Sequence, residues 1–303
     1  MKKTKLLAVI ISSLMLAVVF LAAGCGNNDL LPFPSGTGSE ISTEGLVAHW
    51  QFEALQGGVI RDLSGNDRDL SVVGSADFVP GVSGNAMRFD GNTALTMAPA
   101  SYISSRSMSV SFWVNIAGFT PPYEGANIGF NLWQNTIIDV EGFLAAAGTP
   151  NLLVIRFIWD VRTPNNVSLS AALGGPTGPM DSSDSILTNA TEDININEVR
   201  NQWIHVAVVI DDASDDVEGT VAIYLNGRTN NHRQEVIFES WGGDKIIGNT
   251  DQTPQYAART TIGGWVDDNG FVRRGGLYSL DDMRIYTRAL SSAEVANLAT
   301  LYR

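Results

Sequence analysis

Gly275-Gly276-Leu277-Tyr278-Ser279-Leu280-Asp281-Asp282-Met283-Arg284-Ile285-Tyr286-Thr287-Arg288-Ala289-Leu290-Ser291 decides how this chain is read. Its centre alternates with the period of a β-strand, which places Asp281, Met283 and Ile285 on one face and Asp282, Arg284 and Tyr286 on the other. The first face is apolar except for its carboxylate. A carboxylate on a core face is costly unless it is paired or holds a metal. Beyond Leu290 the pattern changes to Ser291-Ser292-Ala293-Glu294, a capping box that starts a short helix through Leu301.

Upstream of this stretch the sequence is strand after short strand. Leu46, Ala48, Trp50 and Phe52 share a face at the opening. Ala86–Phe89 and Ala94–Met97 flank the turn Asp90-Gly91-Asn92. Met108, Val110, Phe112 and Val114 alternate against Ser109, Ser111, Trp113 and Asn115, while Leu152 to Ile158 is apolar almost throughout and suits burial on both faces. Trp203–Ile210 and Thr220–Leu225 form a pair joined at Asn226-Gly227, a hairpin turn dipeptide. No long helical pattern precedes Ser291, and there is no internal repeat.

The closing strand, with its Arg-Ala-Leu-Ser run and short helix, resembles that of the laminin G-like, concanavalin A-like jelly rolls. Four further segments carry the resemblance in the family's order: Trp50-Gln51-Phe52-Glu53, Asp62-Leu63-Ser64-Gly65-Asn66, Gly84-Asn85-Ala86-Met87-Arg88-Phe89-Asp90-Gly91, and Trp203-Ile204-His205-Val206-Ala207 with Tyr224-Leu225-Asn226-Gly227. The resemblance implies an all-β fold, a two-sheet antiparallel jelly-roll sandwich with a short C-terminal helix, and a lectin-like extracellular role. It departs in length: 116–200 and 229–259 exceed what a compact member needs and read as insertions.

Lys2, Lys3 and Lys5 precede an apolar run from Leu6 to Ala23, which ends Leu21-Ala22-Ala23-Gly24-Cys25. Positive residues, an apolar core and small residues at a cut site make a secretory signal over 1–24. The last five residues resemble a bacterial lipobox, in which Cys25 is lipidated; an uncleaved membrane anchor is the alternative, since the run is long enough to span. With Gly26 rather than Asp after the cysteine, the expected address is the outer membrane or cell surface if the source is Gram-negative. Residues 25–44 read as a flexible tether reaching roughly 25 Å on average, and 45–303 as one jelly-roll domain. Cys25 is the single cysteine, so no disulfide forms within the domain. A formal charge of −13 disfavours nucleic acid and bare anionic membrane. Membrane contact is expected through the Cys25 lipid alone.

In related jelly rolls a structural calcium joins the opening strand, the Phe-Asp-Gly turn and the closing strand. The matching positions are Glu53, the Gly91 carbonyl and Asp281, an oxygen set of the kind Ca2+ takes. The alternative is that Asp281 accepts backbone N–H groups and no metal is present. The acidic runs at Asp211–Asp216 and Asp267–Asp268 read as turns. His49, His205 and His232 form no zinc spacing and partner no nucleophile. The Glu-x-Asp-x-x-Glu strand of the glucanase relatives is missing, and Gln202-Trp203-Ile204-His205 has one residue too many for the Gln-x-His strand of the alginate lyases. A ring face packs against the apolar face of a pyranose, and Tyr123, Trp241, Tyr256 and Trp265 lie in or beside loops rich in Gly, Pro and Asn. They are the candidate ligand-binding residues, with local packing as the plainer role of each. The expectation is a binding protein for a glycan or glycoconjugate rather than an enzyme. A lyase or glycosidase with a non-standard site, and an adhesive protein recognising another surface protein, are the alternatives.

Overall fold

The structure is a computed structural model and describes residues 41–97, 107–120, 132–141, 151–160, 162–174, 186–211, 218–229, 233–237, 260–267 and 269–303. In chain order the strands are β1 (Leu46–Trp50), β2 (Val59–Ile60), β3 (Leu70–Val73), β4 (Asp77–Pro80), β5 (Asn85–Asp90), β6 (Ala94–Met97) and β7 (Met108–Gly118). Then come β8 (Leu132–Glu141), β9 (Asn151–Asp160), β10 (Asn166–Gly174), β11 (Ile186–Asn195), the single-turn helix α1 (Ile196–Val199), β12 (Trp203–Asp211), β13 (Glu218–Leu225) and β14 (Arg233–Ile237). The chain closes with β15 (Thr260–Ile262), β16 (Trp265–Val266), β17 (Val272–Arg273), β18 (Leu277–Tyr286) and helix α2 (Ser292–Thr300).

Two antiparallel sheets face each other. The first runs β14-β13-β12-β7-β18-β5-β4, with β1 also on β18; the second runs β11-β10-β9-β8-β15-β6-β3-β2. The region that reads as an insertion at 116–200 supplies β8 to β11, half of the second sheet, so it widens the sandwich rather than decorating it. Leu153, Ile155 and Phe157 of β9 face Val110, Phe112 and Val114 of β7 across one core, all buried. Val154 and Arg156 on the reverse of β9 are buried too, as the unbroken apolar run implies. The jelly-roll expectation holds. So does the central hairpin: β12 pairs with β13, and Asn226 and Gly227 both take positive φ, 51° and 79°.

The outer face of the first sheet is not left to water. Ala207, Val209, Ala222, Tyr224 and Tyr286 pack under Val295 and Leu298 of α2, each buried aliphatic side chain contributing about 1.5–3 kcal/mol. The capping box forms as its sequence requires, Ser291 Oγ accepting from the Glu294 N–H and the Glu294 carboxylate from the Ser291 N–H. Arg288 then staples the helix to the start of the domain. It pairs with Glu294, donates to the Glu44 carbonyl at 2.8 Å and to Ser42 Oγ at 3.1 Å, and stacks on Tyr286. Ile41 packs on the same small core, so contacts with the domain include residues before Gly45.

The Asp62–Asn66 turn finishes the free edge of β1. Asp62 Oδ1 accepts from the His49 N–H, the Leu63 N–H bonds the His49 carbonyl, and Ser64 and Arg68 both donate to the Val47 carbonyl. An edge strand whose polar groups are already satisfied is no template for another strand. Among the described residues no helix is long and apolar enough to cross a membrane.

Candidate functional site

β18 is the seam of the molecule. β7 covers one of its edges along nearly its whole length. On the other edge β5 pairs with Leu277–Leu280 and β1 with Met283–Tyr286, so β1 and β5 meet end to end beside Asp281 and Asp282. The β18–β7 register slips between Asp281 and Arg284, and Asp282 takes φ +46°. This bulge breaks simple alternation: Tyr278 and Leu280 before it, and Met283 and Ile285 after it, all point into the same core. The expected shared face of Asp281 with Met283 and Ile285 is therefore replaced by a local turn of the backbone at the two aspartates. Phe52 lies just beyond β1 and also has positive φ, +56°, with its ring buried and Glu53 exposed after it. Each such residue costs about 1–2 kcal/mol, and two of them flank one place.

Asp281 and Glu53 both grip the turn between β4 and β5. Asp281 Oδ2 accepts from the N–H groups of Val82 at 2.8 Å and Ser83 at 3.2 Å. Glu53 Oε2 accepts from the Asn85 N–H at 2.8 Å, and Asn85 Nδ2 returns a bond to the Glu53 carbonyl at 3.0 Å. The fit leaves no room: a Cβ on Gly84, where φ is +65°, would lie 2.7 Å from Glu53 Cδ, and one on Gly81 would lie 2.9 Å from the Asn85 carbonyl carbon. Asp281 is 1% exposed, and its Oδ1 is buried with no hydrogen-bond partner. Burial pushes its carboxyl up to about 7, against the pull of the Ser83 and Val82 N–H groups.

Gly91 does not join this pair. It sits six residues farther along, past the end of β5 and about 20 Å away at ~3.3 Å per residue, where it packs against Gly275 and Thr120. The three-point set Glu53–Gly91–Asp281 is thus corrected to Glu53, Asp281 and the backbone of 81–85. Phe-Asp-Gly lies at the far end of the strand from the turn that both acids hold. Tested against an oxygen-seeking cation, the remaining set fits. It offers two carboxylates on one glycine-rich turn, one of them with an unsatisfied buried oxygen. Among the described residues no group of three His, Cys, Asp or Glu side chains comes together, so backbone carbonyls and water would have to complete the shell.

Asp282 turns away into a separate buried cluster. Its carboxylate meets His49 Nε2 at 2.8 Å and Arg284 Nη1, and the Tyr302 hydroxyl bonds both Asp282 and Arg284. Burial would raise the Asp282 carboxyl, but the His49 hydrogen bond and the Arg284 charge hold it below the usual range. Next to it Ser111 Oγ lies 2.9 Å from His205 Nε2. That is a nucleophile-to-base distance, but both residues are 1% exposed, and Arg303 lies over the neighbouring Trp113 ring. Burial takes His205 down to about 3, so the ring is neutral. The arrangement is a buried structural contact, and it corrects the expectation that no histidine meets a hydroxyl: β7 and β12 pair side by side and bring Ser111 to His205 from 94 positions away.

One rim of the sandwich gathers the other polar and aromatic groups. β5, β7, β9 and β15 end there, and β6, β8, β10, β12 and β18 begin there. Phe119 and Trp159 stack with centroids 5.6 Å apart and planes at 16°, half-buried, with Trp159 Nε1 donating to the Pro164 carbonyl at 3.1 Å. Beside them the Asn135 amide and Thr120 exchange bonds of 3.1 and 3.2 Å. Trp265 is half-buried in β16, on a segment held to this rim by Thr136 N–H to Arg274 carbonyl and Gly263 N–H to Ile137 carbonyl bonds. Tyr123, Trp241, Tyr256 and Cys25 lie outside the described residues. Sequence reasoning passed over Phe119 and Trp159. Their one signal was position: each ends a strand next to a stretch rich in Gly, Pro, Thr and Asn.

Comparison with known proteins agrees with this architecture. The family model Laminin_G_3, described as the concanavalin A-like lectin/glucanases superfamily, matches residues 89–296. Curated proteins give no match. Among solved structures, the binding domain of Paraclostridial Mosquitocidal Protein 1 is 15% identical with a TM-score of 0.51, over 86% of this chain and 53% of that one. The binding domain of Botulinum Neurotoxin DC, solved in complex with SialylT, is 15% identical with a TM-score of 0.52, over 86% of this chain and 52% of that one. The chain thus spans about half the length of these toxin domains. At such identity the likeness is one of fold alone.

Proposed function

We infer that this chain, which belongs to the concanavalin A-like lectin/glucanases superfamily, is an exported, lipid-anchored protein whose jelly roll binds a glycan or glycoconjugate without turning it over. The carrying observation is the rim to which three separate connections bring the half-buried Phe119–Trp159 stack and the half-buried Trp265. Flat, partly exposed aromatic rings suit the apolar face of a pyranose. A neurotoxin binding domain, of which this chain spans about half, is solved in complex with SialylT, and a glycan ligand is in keeping with that. Cys25 carries the lipid in this reading, and the tether of residues 25–44 ends at the Arg288 staple.

A structural calcium belongs to the same proposal, with Glu53, Asp281 and carbonyls of the 81–85 turn as its donors. Bound there, it would neutralise the paired acids and cross-link the two ends of the domain. Asp281 orients the turn through its two N–H bonds, and Phe52 aims Glu53 at Asn85.

The test is an immobilised-glycan screen of the domain from residue 41 onward, run beside a turnover assay on the same polysaccharides. Binding without product is expected. Product formation would overturn the non-enzymatic reading. Silence on every glycan would overturn the lectin reading and leave recognition of a surface protein as the better account.

A further inference from the structure

The β16–β17 hairpin is a two-stranded ribbon outside both main sheets, and it has two unlike faces. Trp265 pairs with Arg273 and Val266 with Val272, and the Asp267 N–H bonds the Phe271 carbonyl at 3.0 Å. Alternation then puts Val266 and Val272 on one face and Trp265, Asp267, Phe271 and Arg273 on the other. The contacts agree. Val266 is buried, and a Cβ on Gly264 would lie 2.7 Å from Val272 Cγ1, so the valine face is the one turned to the protein. On the opposite face Arg273 Nε meets Asp267 Oδ2 at 3.0 Å and the guanidinium sits 5.4 Å from the Phe271 ring centre.

Phe271 is 60% exposed, the most exposed large apolar side chain among the described residues. It is not exposed by looseness. Asp267 Oδ1 accepts from the N–H groups of Asn269 at 3.0 Å and Phe271 at 2.9 Å, and the Gly270 N–H bonds the Asp267 carbonyl at 2.9 Å with Gly270 at φ +81°. One aspartate thus holds Asn269, Phe271 and the arginine, and these bonds, led by that from the Phe271 N–H, hold its carboxyl below the usual range. A ring presented to water by a pre-ordered turn loses little freedom on binding. Beside it stands a guanidinium–carboxylate pair, whose planar donors and acceptors match vicinal hydroxyl groups and whose charges cancel.

We propose that the outward face of the β16–β17 hairpin is a subsite for a neutral hexopyranose, with Phe271 as the stacking platform and the Arg273–Asp267 pair as the hydroxyl-reading group. The proposal rests on the glycan-binding reading above and adds to its rim a subsite with a named sugar class. Neutral rather than acidic sugar follows from two facts: Arg273 is already balanced by Asp267, and the chain carries a net charge of −13, which repels polyanions.

The experiment compares the unaltered domain with Phe271→Ala, Phe271→Trp and Leu63→Ala. Leu63 is a control at 52% exposure on the β1 edge turn. Each is titrated with neutral glucose-, galactose- and mannose-based oligosaccharides and with uronate- and sialate-bearing ones. Because residue 271 is mostly solvent-exposed, all variants should keep the parent melting temperature. Phe271→Ala should bind neutral oligosaccharides at least tenfold more weakly, with Phe271→Trp and Leu63→Ala unchanged or tighter. Parental affinity in Phe271→Ala overturns this subsite and leaves the glycan reading standing. Binding confined to the acidic sugars overturns the neutral assignment. Failure of the unaltered domain to bind any of them overturns the glycan reading and this subsite together.

Discussion

Replacing Asp281 by Asn should change the slope of stability with pH, and the sign follows from the structure. In the unfolded chain this carboxyl titrates near 3.8; in the fold burial raises it to about 7. Between those values the unfolded state sheds its proton while the folded state keeps it, so rising pH favours unfolding. The group's full contribution is present below the unfolded value and is lost as pH climbs to about 7. Three pH units at 1.36 kcal/mol each give a loss of the order of 4 kcal/mol. His205 works in the opposite sense. Its folded value is about 3 against 6.5 unfolded, so its contribution is lost as pH falls below 6.5. The two nearly cancel in the parent between about pH 4 and 6.5, and only the difference between parent and variant isolates Asp281. Urea unfolding in chelator, followed through the buried Trp50 and Trp113, should show the parent's advantage over Asp281→Asn shrinking by about 4 kcal/mol from pH 4 to 7. Excess calcium should restore the parent above pH 7 by about 2.7 kcal/mol at a hundredfold over its dissociation constant and leave Asp281→Asn unmoved. A parent–variant difference constant to about 0.5 kcal/mol across that range in chelator would refute the buried, unsatisfied carboxyl.

Gly84→Ala should cost about 2–4 kcal/mol, because its Cβ enters the Glu53 carboxylate and the residue must hold φ +65°; an unchanged urea midpoint would contradict the close grip on the 81–85 turn. Asp282→Ala leaves the Arg284 guanidinium buried without its carboxylate and should lower unfolding free energy by about 3–5 kcal/mol, read by the same assay, whereas a loss below about 1 kcal/mol would mean that water reaches the cluster. Cys25→Ser should move the full chain from the membrane to the soluble fraction of a lipoprotein-processing host; continued need for detergent would count against lipidation.

Sequence alone fixed what depends on neighbours a few residues apart. The alternation of Met108 to Val114 set the inward face of β7, Asn226-Gly227 set the hairpin, and Ser291 with Glu294 set the closing helix, since pleat, turn dihedrals and caps are all local. It also marked Asp281 as a carboxylate in need of a partner. Which partner was beyond it. The Val82 and Ser83 N–H groups come from nearly 200 positions away, and only the end-to-end pairing of β5 and β1 on one edge of β18 puts their turn, rather than Gly91, beside both acids. The bulge at Asp281–Asp282 defeated strict alternation because an extra residue shifts the pleat by one without leaving a periodic trace. Residues 116–200 looked like excess and became half a sheet, since a strand's place depends on the edge it finds. Phe119, Trp159 and Phe271 were invisible as a surface for the same reason. A ring's exposure is set by which other connections arrive at its rim, and that is decided only when the two sheets close on each other.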